Sequence, residues 1–299
     1  MKRLLLGCAV AGMLLAPAAP AQAQDGGAVF RPVGGWTADF GEDYCRLVRT
    51  FSDGKDEVSL AMERTQPGGF LRLLLVGNGV STFRGADQIG YTLLPSGGER
   101  ETRYVRSETA DGKQFLGFDA LTLAPFAFTP GAPPAPYRRD AEQDTARGIS
   151  GIALAKGLTK PVRFETGSLR APVEVMQACA DDLLVVWGLD VEKHKTMTAG
   201  PVPNPSPGGV LPQGTIPFSE FSKFGGGANQ VRVLIGPDGK PTACTIYSPS
   251  LSQTLNQRIC SLIMKDATFQ PAKDADGQAM ASFWMGPPMA FGPPFPGRR

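Results

Sequence analysis

Gln230-Val231-Arg232-Val233-Leu234-Ile235-Gly236-Pro237-Asp238-Gly239 is the stretch from which the fold is read. An apolar-rich extended run enters Gly-Pro-Asp-Gly, where glycine and aspartate tolerate the backbone angles of a tight reversal. Thr242 to Tyr247 can return as the second arm of a hairpin. The hydrophobic period then lengthens. Leu251, Leu255, Ile259, Leu262 and Ile263 fall three or four apart on one helical face, with Ser252 as a cap and Asp266 near the end. Thr268-Phe269-Gln270 is extended, Pro271 to Gly277 is loop, and Gln278 to Trp284 is extended again. The predicted order is β-hairpin, helix, strand.

This order, with Asp238-Gly239, the break Ser248-Pro249-Ser250, the Leu255-centred helix and Phe269-Gln270-Pro271-Ala272, resembles the C-terminal domain of TonB-family energy transducers. Cys244 on the second arm and Cys260 on the helix bring it nearest to the cysteine-bearing versions. The likeness covers about residues 215–285. It implies capture of a short segment of an outer-membrane TonB-dependent transporter, or of another envelope protein, by strand addition. The run Gln278 to Trp284 can accept such a strand, with Gln278, Met280, Ser282 and Trp284 as partner-binding positions. The competing reading makes it a core strand with Phe283 or Trp284 buried. The chain departs from the family in four respects. It has a cleavable signal instead of a kept membrane helix, a folded N-terminal domain, a linker too short to cross the periplasm, and Pro249 in the segment before the helix.

Outward from this unit, residues 1–23 read as a secretory signal. Lys2 and Arg3 form its charged end, Leu4 to Leu15 its apolar segment, and Ala21-Gln22-Ala23 its cleavage site. The apolar segment falls short of the roughly 20 residues of a membrane span. The expectation is a soluble periplasmic or secreted protein. Losing Lys2 and Arg3 leaves 28 basic residues against 28 acidic ones. That balance gives no electrostatic basis for binding nucleic acid or an anionic membrane. Four cysteines remain, and an even number in an oxidising compartment implies disulfides, with three connectivities open. Cys244 and Cys260 share one predicted unit, which leaves Cys45 to pair with Cys179. There is no C-x-x-C and one histidine, so no metal site or other cofactor is expected.

Residues 24–35 read as a loose lead-in. Between 36 and 195, short apolar runs separated by Gly, Pro and Asn turns suggest an antiparallel sheet. Tyr44 to Arg49, Val58 to Met62, Phe70 to Val76 and Phe115 to Phe118 are its clearest strands. Pro125 to Pro136 holds five prolines and reads as loop. Arg138 to Ala155 reads as a helix weakened by Gly148 and Gly151. Pro172 to Trp187 is a clearer helix, with Met176, Cys179, Leu183, Leu184 and Trp187 on one face. Residues 196–217 are Pro-rich and read as an interdomain linker. Residues 218–285 form the TonB-like domain, and 286–299 a disordered tail. The expected class is α+β: a β-rich N-terminal domain with a C-terminal helix, then a small β-β-α-β domain.

No catalytic motif emerges. An enzyme would need His194, with Ser150 or Ser168 as partner, yet neither serine lies in G-x-S-x-G. Asp181 and Asp182 are neighbours on a helix and point about 100° apart, which suits a solvated face better than a catalytic pair. Trp36 with Phe40 is a possible ligand platform but reads more readily as core. Three functions follow: a non-catalytic periplasmic interaction protein; a periplasmic hydrolase or small-ligand protein with its site in the N-terminal domain; or a membrane-anchored transducer for outer-membrane transport.

Overall fold

The computed structural model describes residues 27–118, 121–124, 137–204, 227–247, 252–286 and 289–291. Its first half is a closed barrel. The strands are β1 (Ala28–Phe40), β2 (Cys45–Ser52), β3 (Glu57–Arg64), β4 (Phe70–Val76), β5 (Gln88–Leu94), β6 (Arg100–Glu108), β7 (Gln114–Phe118), β8 (Leu121–Thr122), β9 (Gly151–Leu154) and β10 (Val162–Phe164). The order is β3-β2-β1-β10-β9-β5-β6-β7-β4, and a β3–β4 pairing closes the ring of nine strands, with β8 attached to β4. Among the described residues, only the β1–β10 pairing is parallel.

Alternation determines which side faces in. Cys45, Leu47 and Phe51 of β2, Val58, Leu60 and Met62 of β3, and Leu71, Leu73 and Leu75 of β4 are all buried. A barrel of this strand number has an interior that side chains can fill. Here Phe164 lies 5.2 Å from Phe30 and 5.5 Å from Phe51 between ring centroids, within one continuous buried cluster.

Three helices cover the barrel: α1 (Arg139–Gly148), α2 (Arg170–Val186) and α3 (Val191–Lys195). Helix α1 stops earlier than its sequence suggests. Gly151 to Leu154 are drawn into the sheet as β9, where Ile152 and Leu154 are buried between β5 and β10. Helix α2 has Pro172 in its first turn and lays Val173, Met176, Cys179, Leu183 and Leu184 on the barrel core. A Cys45–Cys179 disulfide, with Cα atoms 5.9 Å apart, fixes it to the start of β2.

The remaining elements are β11 (Val202–Asn204), β12 (Gly227–Ile235), β13 (Pro241–Tyr247), α4 (Gln253–Asp266), β14 (Thr268–Gln270), β15 (Ala272–Lys273), β16 (Ala279–Met280), β17 (Ser282–Met285) and β18 (Met289–Phe291). Strand β12 is central, between β13 and β17, and its first residues also pair with β18. Leu255, Ile259 and Ile263 of α4 cover Val231, Val233 and Ile235 of β12. Ser252 caps α4 by accepting from the Leu255 amide, and Cys244–Cys260 ties α4 to β13. Gly239 completes the β12–β13 turn at φ +78°, and a Cβ there would come 2.2 Å from the Phe269 carbonyl oxygen. No other residue fits that turn without strain.

The expected α+β class is corrected. The molecule is mostly β, organised around a closed nine-stranded barrel with four short helices among the described residues. The reason lies in pairing. Strand β3 bonds both β2 and β4, and β1 bonds both β2 and β10, so the sheet has no open end at which helices could form a separate layer. Nor do the last strands stand apart: Leu234 and Phe283 pack against the barrel cluster. The stretch read as a lead-in carries the start of β1. Part of the Pro-rich stretch forms β11, paired with β14, and part of the tail forms β18. Residues 1–23, the loop 125–136, the linker from 205 on, the break Ser248-Pro249-Ser250 and the end of the tail from 292 lie outside the described residues.

Candidate functional site

Strands β12 and β17 turn one face to α4 and the other to the barrel, and a chain of contacts crosses the second junction. Arg232 Nη1 pairs with Asp43 Oδ1 at 2.6 Å, and its guanidinium lies 4.2 Å from the Trp187 ring centroid. Trp187 meets Phe283 edge-on at 5.2 Å, and Phe283 stacks with His194 at 6.2 Å. Such aromatic and cation–π pairs each add up to about 1 kcal/mol beyond burial, so the junction is held by several modest contacts.

His194 Nδ1 lies 2.6 Å from the Asp190 carbonyl oxygen. A carbonyl only accepts, so Nδ1 carries the proton and Nε2 is left to accept from the Ser282 hydroxyl at 3.0 Å. Burial lowers the His194 pKa below its ordinary value, and the Asp190 carbonyl opposes that only in part. This is the tautomer a general base needs. However, Ser282 is 1% exposed and its oxygen also contacts Met197 Sδ at 3.8 Å. The arrangement acts as a clasp between α3 and β17.

Beside the clasp lies a cleft of about 80 Å3 where the β3–β4 loop, α1, α2, α3 and β17 meet. Part of its wall is a buried polar network, since Arg64, Tyr137 and Gln177 line it. Arg64 forms an ion pair with Glu142, and both side chains are almost completely buried. Tyr137 donates to Glu142 Oε2, while Gln177 Nε2 donates to Tyr137 at 2.8 Å and to Glu142 at 3.0 Å. Burial pushes the Tyr137 phenol up to about 12, helped by the negative charge of Glu142 and opposed by Arg64. Burial would lower Arg64, but its pairing with Glu142 outweighs this and holds its pKa above the ordinary value. At the mouth, Asp181 holds Arg139 at 2.6 Å and Lys195 at 3.9 Å.

Both disulfides join the expected cysteines. Among the expected partner-binding residues, Gln278 is exposed in a turn where its amide bonds Asp274 Oδ1, and Met280 is buried in β16. Ser282 is buried in the clasp, and half-buried Trp284 packs 5.6 Å from Phe269. His194 finds Ser282 rather than Ser150 or Ser168; Ser168 Oγ bonds the Arg147 carbonyl instead. Asp181 sits in the cleft wall while Asp182 faces solvent. Trp36 packs on Phe51, and Phe40 is exposed. Sequence reasoning missed Arg64, Tyr137, Glu142 and Gln177. A charged pair 78 residues apart leaves no local spacing to find. Comparison of the chain with protein-family models, curated proteins and solved structures finds no match.

Barrel closure leaves few strand edges. Strand β13 bonds β12 on one side, and among the described residues no strand pairs with its other side. It is seven residues long, with Thr242 exposed and the rest half-buried. The opposite edge, β17, is four residues long, and its first two side chains are engaged with His194 and Trp187.

Proposed function

We propose that this chain is a non-catalytic interaction protein of the cell envelope that captures an extended segment of an outer-membrane transporter or another envelope protein by strand addition. The outer edge of β13 over Thr242 to Ile246, with which no strand pairs among the described residues, carries this reading. Strand addition draws its affinity from main-chain hydrogen bonds, which an open edge of this length supplies. Cys244–Cys260 and α4 hold the strand rigid from the far side, so little ordering cost remains on binding. Pro241 and the extra residue that bulges β13 near Thr242 blunt one end of the edge, a device that limits self-pairing. The resemblance of residues 215–285 to TonB-type C-terminal domains supports the same reading. Two disulfides suit the oxidising periplasm, and among the described residues no helix is long and apolar enough to cross a membrane.

A photocrosslinking residue at Thr242 or Thr245, compared with one at exposed Val186 on α2, tests the edge. Adducts from the β13 positions should map to an extended segment of one envelope protein, and that purified partner should slow amide exchange over residues 242–247. Equal crosslinking at Val186, or unchanged exchange, would remove β13 from consideration. A hydrolase reading rests on the His194–Ser282 contact alone. It requires fluorophosphonate labelling of Ser282, which the burial of that residue opposes.

A further inference from the structure

One end of the barrel changes character along its inward-facing register. On β7, Phe118 and Leu116 are buried in the core, and Gln114 continues their face. On β6 the matching positions are Tyr104, Arg106 and Glu108, opposite Phe118, Leu116 and Gln114 in turn. Tyr104 packs on the core cluster, whereas Arg106 and Glu108 are exposed. The inward face thus turns from apolar to polar, and it ends in a hollow of about 590 Å3 between the β6–β7 hairpin and the loop that follows β4. Asn78 and Ser81 of that loop line the hollow with Arg106, Ser107, Glu108 and Gln114, so every side chain around it is polar.

These groups are largely uncommitted. Among the described residues, the Arg106 side chain bonds Thr82 Oγ1 at 3.3 Å and nothing else, and the side chains of Ser81, Ser107, Glu108 and Gln114 bond nothing. Asn78 Oδ1 accepts from the Gln114 backbone amide at 3.1 Å, which fixes the loop against β7 and leaves the Asn78 side-chain amide to donate. The charges cancel: Arg106 balances Glu108, and Lys113 is paired with Asp111 at 2.9 Å. From this arrangement we infer that the barrel mouth binds a neutral sugar of one or two rings. Adjacent sugar hydroxyls each donate and accept, and the planar guanidinium, carboxylate and amide groups here can each engage two of them. Arg106 and Glu108 lie two residues apart on one strand, about 7 Å, so they can grip hydroxyls on opposite sides of one ring. An anion meets Glu108 and a cation meets Arg106. An apolar ligand strips water from both charges with no hydrogen bonds in exchange. Barrel mouths are frequent ligand sites, and the volume lies within the roughly 300–1,000 Å3 of small-molecule pockets. Nothing in this site depends on the β13 edge.

The test uses the full chain, isotopically labelled at nitrogen and observed by NMR, the Gln114 side-chain amide signals being assigned from Gln114→Ala. Cellobiose and maltose, which differ in the linkage between their rings, are titrated beside sodium sulfate and glycylglycine as anionic and zwitterionic controls. At least one disaccharide should shift the Gln114 signals saturably in the millimolar range, and both controls should bind at least about tenfold more weakly. Arg106→Ala and Glu108→Ala remove exposed side chains and leave the barrel core untouched, and each should weaken the sugar at least about fivefold. No saturable shift with either disaccharide, binding of sulfate or glycylglycine as tight as that of the sugar, or unchanged sugar binding in either variant would each overturn the assignment. Should a variant fail to fold, the comparison of sugars with controls on the unaltered protein decides alone.

Discussion

Arg64 is the largest side chain that the described molecule buries completely, and its charge is balanced inside the protein by Glu142. A buried pair of this kind gains little over a well-packed apolar pair, but removing one partner strands the other. Arg64→Met should therefore cost about 3–5 kcal/mol, read as a lower urea midpoint, and Arg64→Met with Glu142→Leu should recover much of it. A single variant that loses under about 1 kcal/mol would show that water reaches Glu142. His194 gives a second prediction at this scale. Its folded pKa lies below the ordinary 6.5, because burial disfavours the charged ring. The unfolded chain thus binds the proton more readily. The stabilising contribution is present above about pH 6.5 and is lost as pH falls through the folded value. It is the chain's one histidine, so a single imidazole resonance reports it. That resonance should titrate below 6.5, and His194→Gln should flatten the loss of stability between neutral pH and about pH 5. A midpoint at or above the ordinary value would contradict the burial.

At the scale of elements, the C-terminal hairpin and helix show how a short loop is stapled. Cys244 and Cys260 are 16 residues apart, and closing a loop of that size stabilises the chain by about 3 kcal/mol in the chain-entropy argument. Replacing both by serine should cost about that much, and amide exchange over β12, β13 and α4 should rise before that of the barrel. Uniform loss of protection across the whole chain would mean that the two regions unfold as one. These elements were legible in the sequence because their signals are local. Gly236 to Gly239 specifies a turn, Leu255, Ile259 and Ile263 specify a helical face, and Pro172 with the stripe through Trp187 specifies α2. Helix α1 was over-extended because Ile152 and Leu154 satisfy either period until a sheet partner is known.

For the whole molecule, what could not be read was closure. The alternation in β2, β3 and β4 states that one face is buried, but it serves a sandwich, an open sheet or a barrel equally. The pairings that close the ring join residues far apart, such as Ala28 with Val162 and Tyr91 with Leu154, and no spacing rule encodes them. The clasp and the buried Arg64 network were hidden for the same reason. Docking of the last strands on the barrel is likewise a property of the assembled chain, and it depends on Phe283. Phe283→Ala should cost about 2 kcal/mol, less than a fully buried phenylalanine because this ring is half-buried, and should raise amide exchange in α3. If α3 stays as protected as before, the clasp does not need the aromatic stack.

The two disulfides also bear on the order in which the chain is made. A chain that emerges N-terminus first presents Cys45, then Cys179, then Cys244, then Cys260. The native bonds join the first of these to the second and the third to the fourth. Cys179 therefore reaches Cys45 before Cys244 or Cys260 has emerged, although 134 residues separate the two. An oxidant that joins these four cysteines in their order of appearance gives the native connectivity directly, without reshuffling.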